Sequence, residues 1–164
     1  MNELCFRRIY AHESEALRHL RLQALESEPT AFLSTWEKEG SFTPARWQEL
    51  CHKAANSNEL AIFLCQGPNQ KFLGMCGVQE KGRSTAEIWG VFLHPSCRGQ
   101  GISQSMLRQA IDWARSRGIR ELVLEVNPDL TPAVRLYNSL GFQPVGETRH
   151  CCGKKPALGF KLPL

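Results

Sequence analysis

A strand-like segment, a glycine-rich loop and an amphipathic helix follow one another in the middle of the chain. Residues 85–94 (TAEIWGVFLH) are apolar enough for a strand, and Arg98, Gly99 and Gly101 come soon after them. From Ile102 onward, apolar residues recur at helical spacing. Because glycines leave backbone N–H groups uncovered at a helix start, the arrangement has two interpretations: a tight turn or a site for an anion.

The loop does not match the two best-known phosphate-binding motifs. No Gly-Lys-Ser/Thr occurs in the chain, which excludes a P-loop. The dinucleotide fingerprint G-x-G-x-x-G begins at Gly99 and Gly101 but has Gln104 where the last Gly or Ala belongs. The remaining interpretation is an anion site at a helix start, formed by free N–H groups and the positive end of the helix dipole. Arg98 adds a cation suited to phosphate.

The remaining segments predict one mixed α/β domain over residues 1–164, with the element order β-α-α-β-β-β-α-β-α-β-β. Thr43 and Thr131 are each followed by proline, a helix start signal, while Gly118 and Gly141 mark helix ends. The predicted strands cover residues 5–10, 60–65, 71–80, 85–94, 120–127, 141–147 and 157–162.

Composition narrows the setting in which the chain works. A net charge of +4 without a run of like charges does not require nucleic acid. No segment reaches the roughly 18 consecutive apolar residues of a membrane span. Seven scattered cysteines favour a reducing compartment over a disulfide framework, so a cytoplasmic protein is expected. The tract His150-Cys151-Cys152 is weak as a metal site and is interpreted as an exposed turn, so no metal is expected.

Two motifs resemble those of the GNAT superfamily of acetyl-CoA-dependent N-acetyltransferases. The loop resembles that family's pyrophosphate motif Q/R-x-x-G-x-G/A, and PAVRLYNSLGF resembles its A-x-x-L-Y-x-x-x-G-F signature. The matching positions are Arg98, Gly101 and, with Ser for Gly or Ala, Ser103, followed by Ala133, Leu136, Tyr137, Gly141 and Phe142. Members often carry Asn where this chain has Leu130, and Asn127 is the nearest substitute.

The resemblance implies a fold and a donor. The fold is a single-domain GNAT fold, with a mixed central sheet of about seven strands, a splay between the fourth and fifth, and about four flanking helices. Acetyl-CoA is the implied acyl donor. Its pantetheine arm is expected along one unpaired strand edge and its pyrophosphate on the loop. The implied contacts are Val91, Phe92, Leu93, Arg98, Gly99, Gln100, Gly101, Ile102 and Ser103, with Asn127 as a further contact.

Direct attack of an amine on a thioester requires proton transfers, because an alkyl amine is mostly protonated at neutral pH. Tyr137 is the candidate acid for the leaving thiolate, with a core tyrosine as the alternative. Glu87 is the candidate base, directly or through water, with a solvated strand-edge charge as the alternative. A backbone N–H of residues 91–93 is the candidate oxyanion donor. Cys97 has no acid–base partner placed by sequence and is interpreted as a bystander thiol.

The acceptor site is expected in residues 25–40, which join the first two predicted helices and which the family uses for this purpose. This segment mixes Phe32 and Trp36 with Glu26, Glu28, Glu37 and Glu39, a lining suited to a cationic acceptor. The alternative is a solvated amphipathic connection. Trp89 either faces the acceptor or packs in the sheet.

The predicted function is acetyl transfer from acetyl-CoA to a primary amine of a small molecule or peptide, through a ternary complex. The sequence does not separate a polyamine, an amino acid, an antibiotic or a protein amino group. The alternative is a non-catalytic sensor or scaffold that binds coenzyme A. No nucleic-acid or membrane partner is expected, and a homodimer through the late strands is possible.

Overall fold

The computed structural model describes residues 3–148 and 156–164. The tract of residues 150–152, interpreted above as a turn, lies outside these described residues. Within them, no cluster of three or more His, Cys, Asp or Glu side chains has the arrangement of a metal site. None of their helices combines the length and the apolar character needed to cross a membrane.

Seven strands and five helices make up the described chain. The strands are β1 (Cys5–Arg8), β2 (Leu60–Gln66), β3 (Phe72–Gly82), β4 (Thr85–Leu93), β5 (Glu121–Val126), β6 (Gln143–Thr148) and β7 (Ala157–Pro163). The helices are α1 (Ser14–Ser27), α2 (Trp36–Gly40), α3 (Pro44–Asn56), α4 (Ile102–Ser116) and α5 (Thr131–Ser139). This order confirms the predicted one, except that α2 was not anticipated.

The short helix α2 escaped prediction because five residues are too few to show an apolar period. Its start is nevertheless encoded locally, since the Thr35 side chain accepts a hydrogen bond from the Lys38 backbone N–H at 3.2 Å. The helix ends at Gly40. It divides the predicted acceptor segment into an irregular stretch and one helical turn.

The strands form one mixed sheet in the order β1-β2-β3-β4-β5-β7-β6, in which only β4 and β5 run parallel. Helices cover both faces. Ile62 and Leu64 of β2 pack with α1 and α3 residues, whereas Phe63 and Cys65 of the same strand pack with α4 residues. Because neighbouring strand residues point to opposite faces, this accounts for the uninterrupted apolar sequence of β2.

The strands β4 and β5 separate partway along their length, which confirms the expected splay. Their pairing is confined to Thr85, Ala86 and Glu87 of β4, opposite residues 121–123 of β5. Gly90, at φ +62°, lies in a bulge where the register between β3 and β4 shifts. Beyond this bulge, the edge of β4 that faces β5 pairs with no other strand of the described chain, and the sheet opens into a cleft.

Candidate active site

The cleft between the separated strands has a volume of about 550 Å³ and ends at the start of α4. Most predicted donor contacts lie on its wall, namely Val91, Phe92, Leu93, Arg98, Gly99, Gly101, Ile102 and Ser103. Gln100 belongs to the same loop but is not part of the lining. The structure thus brings the unpaired strand edge and the glycine-rich loop into one cavity.

The start of α4 has the geometry of an anion site. Gly99 and Gly101 adopt φ values of +76° and +74°, which side-chain-bearing residues rarely tolerate. A Cβ atom on either glycine would meet nothing within 4 Å, so the backbone there faces open space. Gly101 is the N-cap and no side chain caps the helix, which leaves first-turn N–H groups available to a ligand.

The cation expected beside this site, Arg98, already has partners. Its Nη2 atom lies 2.6 Å from Oε1 of Glu28, and its Nε–H donates to the Leu93 carbonyl oxygen at 2.9 Å. Both charged side chains line the cleft. The glutamate therefore ties the end of α1 to the loop and screens the positive charge.

Tyr137, the candidate acid, is packed among core residues and also borders the cleft. It lies on α5 with its ring against Phe142 and Phe160, at centroid distances of 6.0 and 6.3 Å, and it also lines the cleft. Burial, followed by the neighbouring Cys76 thiol, raises the pKa of Tyr137 well above its ordinary value. The phenol is therefore protonated at neutral pH.

Glu87 lies at the closed end of the splay and is the last β4 residue that pairs with β5. Its carboxylate is 2.7 Å from the Lys81 Nζ atom. The lining of the cleft begins one residue later, at Ile88. The structure therefore does not bring Glu87 and Tyr137 into the same cavity.

A second cavity of about 810 Å³ adjoins the cleft and is lined by the end of α1, the segment up to α2 and the end of β5. The two cavities share four residues, Ala31, Phe32, Glu125 and Val126. We call the second one the acceptor cavity because residues of the predicted acceptor segment line it. Phe32 and Trp36 are among these residues.

Trp89 lines the cleft rather than the acceptor cavity. A Cβ atom on Gly77 of β3 would lie only 2.2 Å from the Trp89 ring, so the indole rests directly on the glycine backbone. Trp89 therefore packs in the sheet, as one of the two predicted alternatives had it, and it borders the cleft instead of the acceptor cavity.

Among the described residues, the charged lining of the acceptor cavity is entirely acidic. Its carboxylates belong to Glu26, Glu37, Glu125 and Asp129. The other two glutamates of the predicted segment lie elsewhere, because Glu28 binds Arg98 and Glu39 is buried against Arg21 on α1.

Asn127, predicted as a donor contact, lines the acceptor cavity instead of the cleft. Its Nδ2–H donates to the Thr30 carbonyl oxygen at 3.2 Å, and its Oδ1 accepts from the Asp129 backbone N–H at 3.0 Å. Asn127 thereby holds the segment between α1 and α2 against the end of β5.

Sequence reasoning missed Glu125, which lies where the two cavities meet. In the sequence it is simply the exposed residue between two core positions of β5, Leu124 and Val126. The available signal was its place near the carboxyl end of a strand that borders the splay, which requires the strand order to be known.

Comparison with known proteins agrees with this architecture. Residues 8–142 match the family model described as the acetyltransferase (GNAT) family, and the chain belongs to that family. A Bacillus subtilis (strain 168) protein, provisionally named as a [ribosomal protein bS18]-alanine N-acetyltransferase, is 29% identical over 135 residues, which are 80% of this chain and 82% of that protein. Other curated relatives are matched over less than half of their length, for example 39% and 49%.

Solved structures share the whole fold. A GNAT-family acetyltransferase from Streptococcus pneumoniae superposes with a TM-score of 0.82 at 23% identity, covering 99% of this chain and 100% of that one. The yncA protein from Salmonella typhimurium, solved with its cofactor acetyl-CoA, has a TM-score of 0.80 at 19% identity and covers 99% of this chain and 94% of that one. The expected GNAT fold is thereby confirmed.

Proposed function

We propose that this protein transfers an acetyl group from acetyl-CoA to a primary amine of a small molecule or peptide, within a ternary complex. The observation that carries the proposal is the meeting of two differently built cavities at Phe32 and Glu125. One offers uncovered backbone groups, and the other offers carboxylates and aromatic rings. Their junction allows donor and acceptor to be bound at the same time.

The cleft has the groups that acetyl-CoA requires. The unpaired edge of β4 from Gly90 to Leu93 can hydrogen-bond the amides of the pantetheine arm as a neighbouring strand would. The first turn of α4, with Gly101 as its N-cap, suits the pyrophosphate. When bound, acetyl-CoA supplies the activated acyl carbon, and the chain's residues orient it towards the junction.

The proposed base is Glu125. The attacking nitrogen must lose its proton as the new C–N bond forms, and Glu125 lies at the junction where that nitrogen arrives. The alternative is Glu87 acting through water, which would have to act from the closed end of the splay, where Lys81 binds it. Glu125→Gln and Glu87→Gln variants separate the two, because only the true base controls the acidic limb of the pH–rate profile.

The proposed acid is Tyr137. As the C–S bond breaks, the thiolate of coenzyme A takes up a proton, and the phenol on the cleft wall is placed to supply it. Its raised pKa keeps the phenol protonated until that moment. The ammonium first releases one proton to solvent. The remaining N–H proton then passes to Glu125 as the C–N bond forms, and it returns to the Tyr137 phenolate after the thiol has left, so that one proton is released overall.

The acceptor cavity favours an amine with an apolar body. Glu26 and Glu37 attract an ammonium group before it is deprotonated, and Trp36 and Phe32 can contact its carbon chain or stack on its charge. The name of the Bacillus subtilis relative refers to the amine of an alanine in a protein, which supports including peptide amines among the candidates.

The test is thiol release from acetyl-CoA across a panel of amines, with donor-induced thermal stabilisation measured in parallel. Turnover of one amine class together with stabilisation supports the proposal. Stabilisation without turnover of any amine in the panel would favour the sensor or scaffold alternative. Gly101→Trp should abolish the stabilisation because a large side chain at φ +74° blocks the helix start. Gly118→Trp, at the same φ of +74° but at the far end of α4, is the matched control.

A further inference from the structure

Arg21 of α1 is a buried arginine that the proposed chemistry does not use. Its side chain is only 8% exposed. Its Nε–H and Nη2–H donate to the two carboxylate oxygens of Glu39 at 2.9 and 2.8 Å. Its Nη1 atom is buried and has no hydrogen-bond partner among the described residues. A buried donor in this state is costly, so its surroundings call for an explanation.

Those surroundings are the wall between the two cavities. The Arg21 Cζ atom lies 4.8 Å from the centroid of the Phe32 ring and 5.9 Å from that of Trp89. A Cβ atom placed on Gly90 would lie 3.3 Å from Nη1. All three neighbours line the cleft, and Phe32 lines the acceptor cavity as well. The guanidinium thus lies directly behind the surface where acyl group and amine would meet.

The same side chain links the separate parts of the site. Through Glu39 it holds α2, the helix that carries Trp36 into the acceptor cavity. Through Phe32 it supports the shared wall, and through Nη1 it packs against the bulge of β4. A buried ion pair usually adds little net stability, because desolvation offsets the Coulomb attraction. Stability alone therefore does not account for its location.

We infer that Arg21 is a positioning residue for acyl transfer, which holds the Gly90 bulge so that the adjacent β4 backbone N–H meets the acyl carbonyl. This inference rests on the proposed function. Gly90 adopts φ +62° without strain but has a flexible backbone, and the neighbouring Arg21 Nη1 and Met75 Cε atoms limit the other conformations open to it. The proposed contacts for the rest of the donor are residues 91–93 and the loop before α4. Removing Arg21 should weaken the acyl contact alone.

Calorimetric dissociation constants for acetyl-CoA and for coenzyme A test this without an acceptor. The wild type should bind acetyl-CoA more tightly than coenzyme A, by about fivefold if one hydrogen bond to the acyl carbonyl is made. In Arg21→Met, the dissociation constants for acetyl-CoA and coenzyme A should become equal. The constant for coenzyme A should change by less than about twofold. Arg21→Lys keeps the charge but cannot hold both Glu39 oxygens and reach the bulge, so it should retain part of the preference.

A matched control is Arg7→Met. Arg7 forms a similarly bidentate pair with Glu13, at 3.0 and 2.6 Å, with side chains 16% and 12% exposed. It lies on β1, which β2 and β3 separate from β4. Its loss should lower the melting temperature as Arg21→Met does, yet leave the acetyl preference unchanged.

The outcomes are distinct. An acetyl preference that survives in Arg21→Met, or is lost equally in Arg7→Met, would overturn the positioning role. So would a wild type that does not distinguish acetyl-CoA from coenzyme A. If the preference depends on Arg21 but no amine is turned over, the inference stands and the catalytic proposal fails. For a wild type that turns over an amine, Arg21→Met should lower kcat more than it raises KM for acetyl-CoA.

Discussion

Arg98 and Glu28 form an ion pair across the mouth of the cleft, with Nη2 and Oε1 separated by 2.6 Å. The Glu28 carboxylate therefore binds the Arg98 guanidinium, which is the group expected to bind the phosphates of acetyl-CoA. A bound pyrophosphate has to compete with Glu28 or share the cation with it. Since Glu28 directly precedes the segment that lines the acceptor cavity, the pair also connects the two binding sites.

Replacing Glu28 by Gln should tighten coenzyme A binding. The amide cannot neutralise Arg98, so the full positive charge becomes available to phosphate. A partly exposed ion pair contributes up to about 1 kcal/mol, which corresponds to a gain of about fivefold. The gain should shrink as salt is raised, because screening weakens the released charge. Glu26→Gln removes a carboxylate two residues away that lines only the acceptor cavity, and it should leave the dissociation constant for coenzyme A unchanged. Weaker binding by Glu28→Gln would show that the pair orders the loop.

The strand and helix order was predictable because each element carries a local signal. Thr43 and Thr131 precede prolines at helix starts, and both helices begin where these signals fall. The glycines of the loop were equally informative, since their positive φ values are a backbone requirement visible in one sequence. Family resemblance then supplied the splay, which no periodicity encodes.

The partners of charged side chains were not predictable. Arg98 and Glu28 lie 70 positions apart in the sequence (98 − 28), and nothing local indicates that they meet. Glu39 was expected in the acceptor lining or in a solvated connection, yet it is only 9% exposed because Arg21 binds it from α1. Such pairings depend on how helices dock on the sheet, which is a tertiary property.

Substituting Tyr137 by Phe should lower kcat by about 100-fold, the usual contribution of a general acid. Binding of acetyl-CoA should be unchanged, because Phe keeps the packing against Phe142 and Phe160. Burial raises the pKa of Tyr137, so the wild-type rate should not fall through ionisation of this phenol below about pH 10. Steady-state rates from about pH 6 to about pH 10 measure both effects. A wild-type-like kcat in Tyr137→Phe would leave the residue as a core tyrosine only.

Gly90→Ala should change the preference for acetyl-CoA over coenzyme A more than it changes the stability of the fold. An Ala at φ +62° is strained by about 1–2 kcal/mol, and its Cβ would lie 3.3 Å from Arg21 Nη1 and 3.4 Å from Met75 Cε. The guanidinium or the bulge must shift, and the acetyl preference should disappear. Gly82→Ala is the matched control, since its φ is +86° and a Cβ there meets nothing within 4 Å. Chemical denaturation and donor binding should show similar destabilisation in both variants but an altered donor preference only in Gly90→Ala.

Trp36→Ala should raise KM for the amine without changing donor affinity. The indole is 46% exposed at the wall of the acceptor cavity, where it offers a surface to a cation or an alkyl chain. Loss of such a contact at a partly exposed site corresponds to an increase in KM of about threefold to fivefold. Tyr10→Ala removes a similarly exposed aromatic ring, 53% accessible, that lines neither cavity and should behave as wild type. An unchanged KM for every amine accepted by the enzyme would place the acceptor elsewhere.

Stability in alkaline solution should depend on Cys76, a thiol of β3 buried beneath α4. Burial raises its pKa from 9.0 to about 12, so the folded state keeps the thiol neutral while the unfolded chain releases the proton. The contribution of the neutral thiol to the free energy of unfolding is complete below about pH 9. It is lost as pH rises towards the pKa of Cys76 in the folded state, at about 1.4 kcal/mol per pH unit. Between about pH 8 and about pH 10.5, the wild type should lose about 2 kcal/mol more free energy of unfolding than Cys76→Ala does. Urea titrations measure this difference, with Cys5→Ala, which removes an exposed thiol, expected to follow the wild type. Parallel losses in wild type and Cys76→Ala would mean that other groups govern alkaline unfolding.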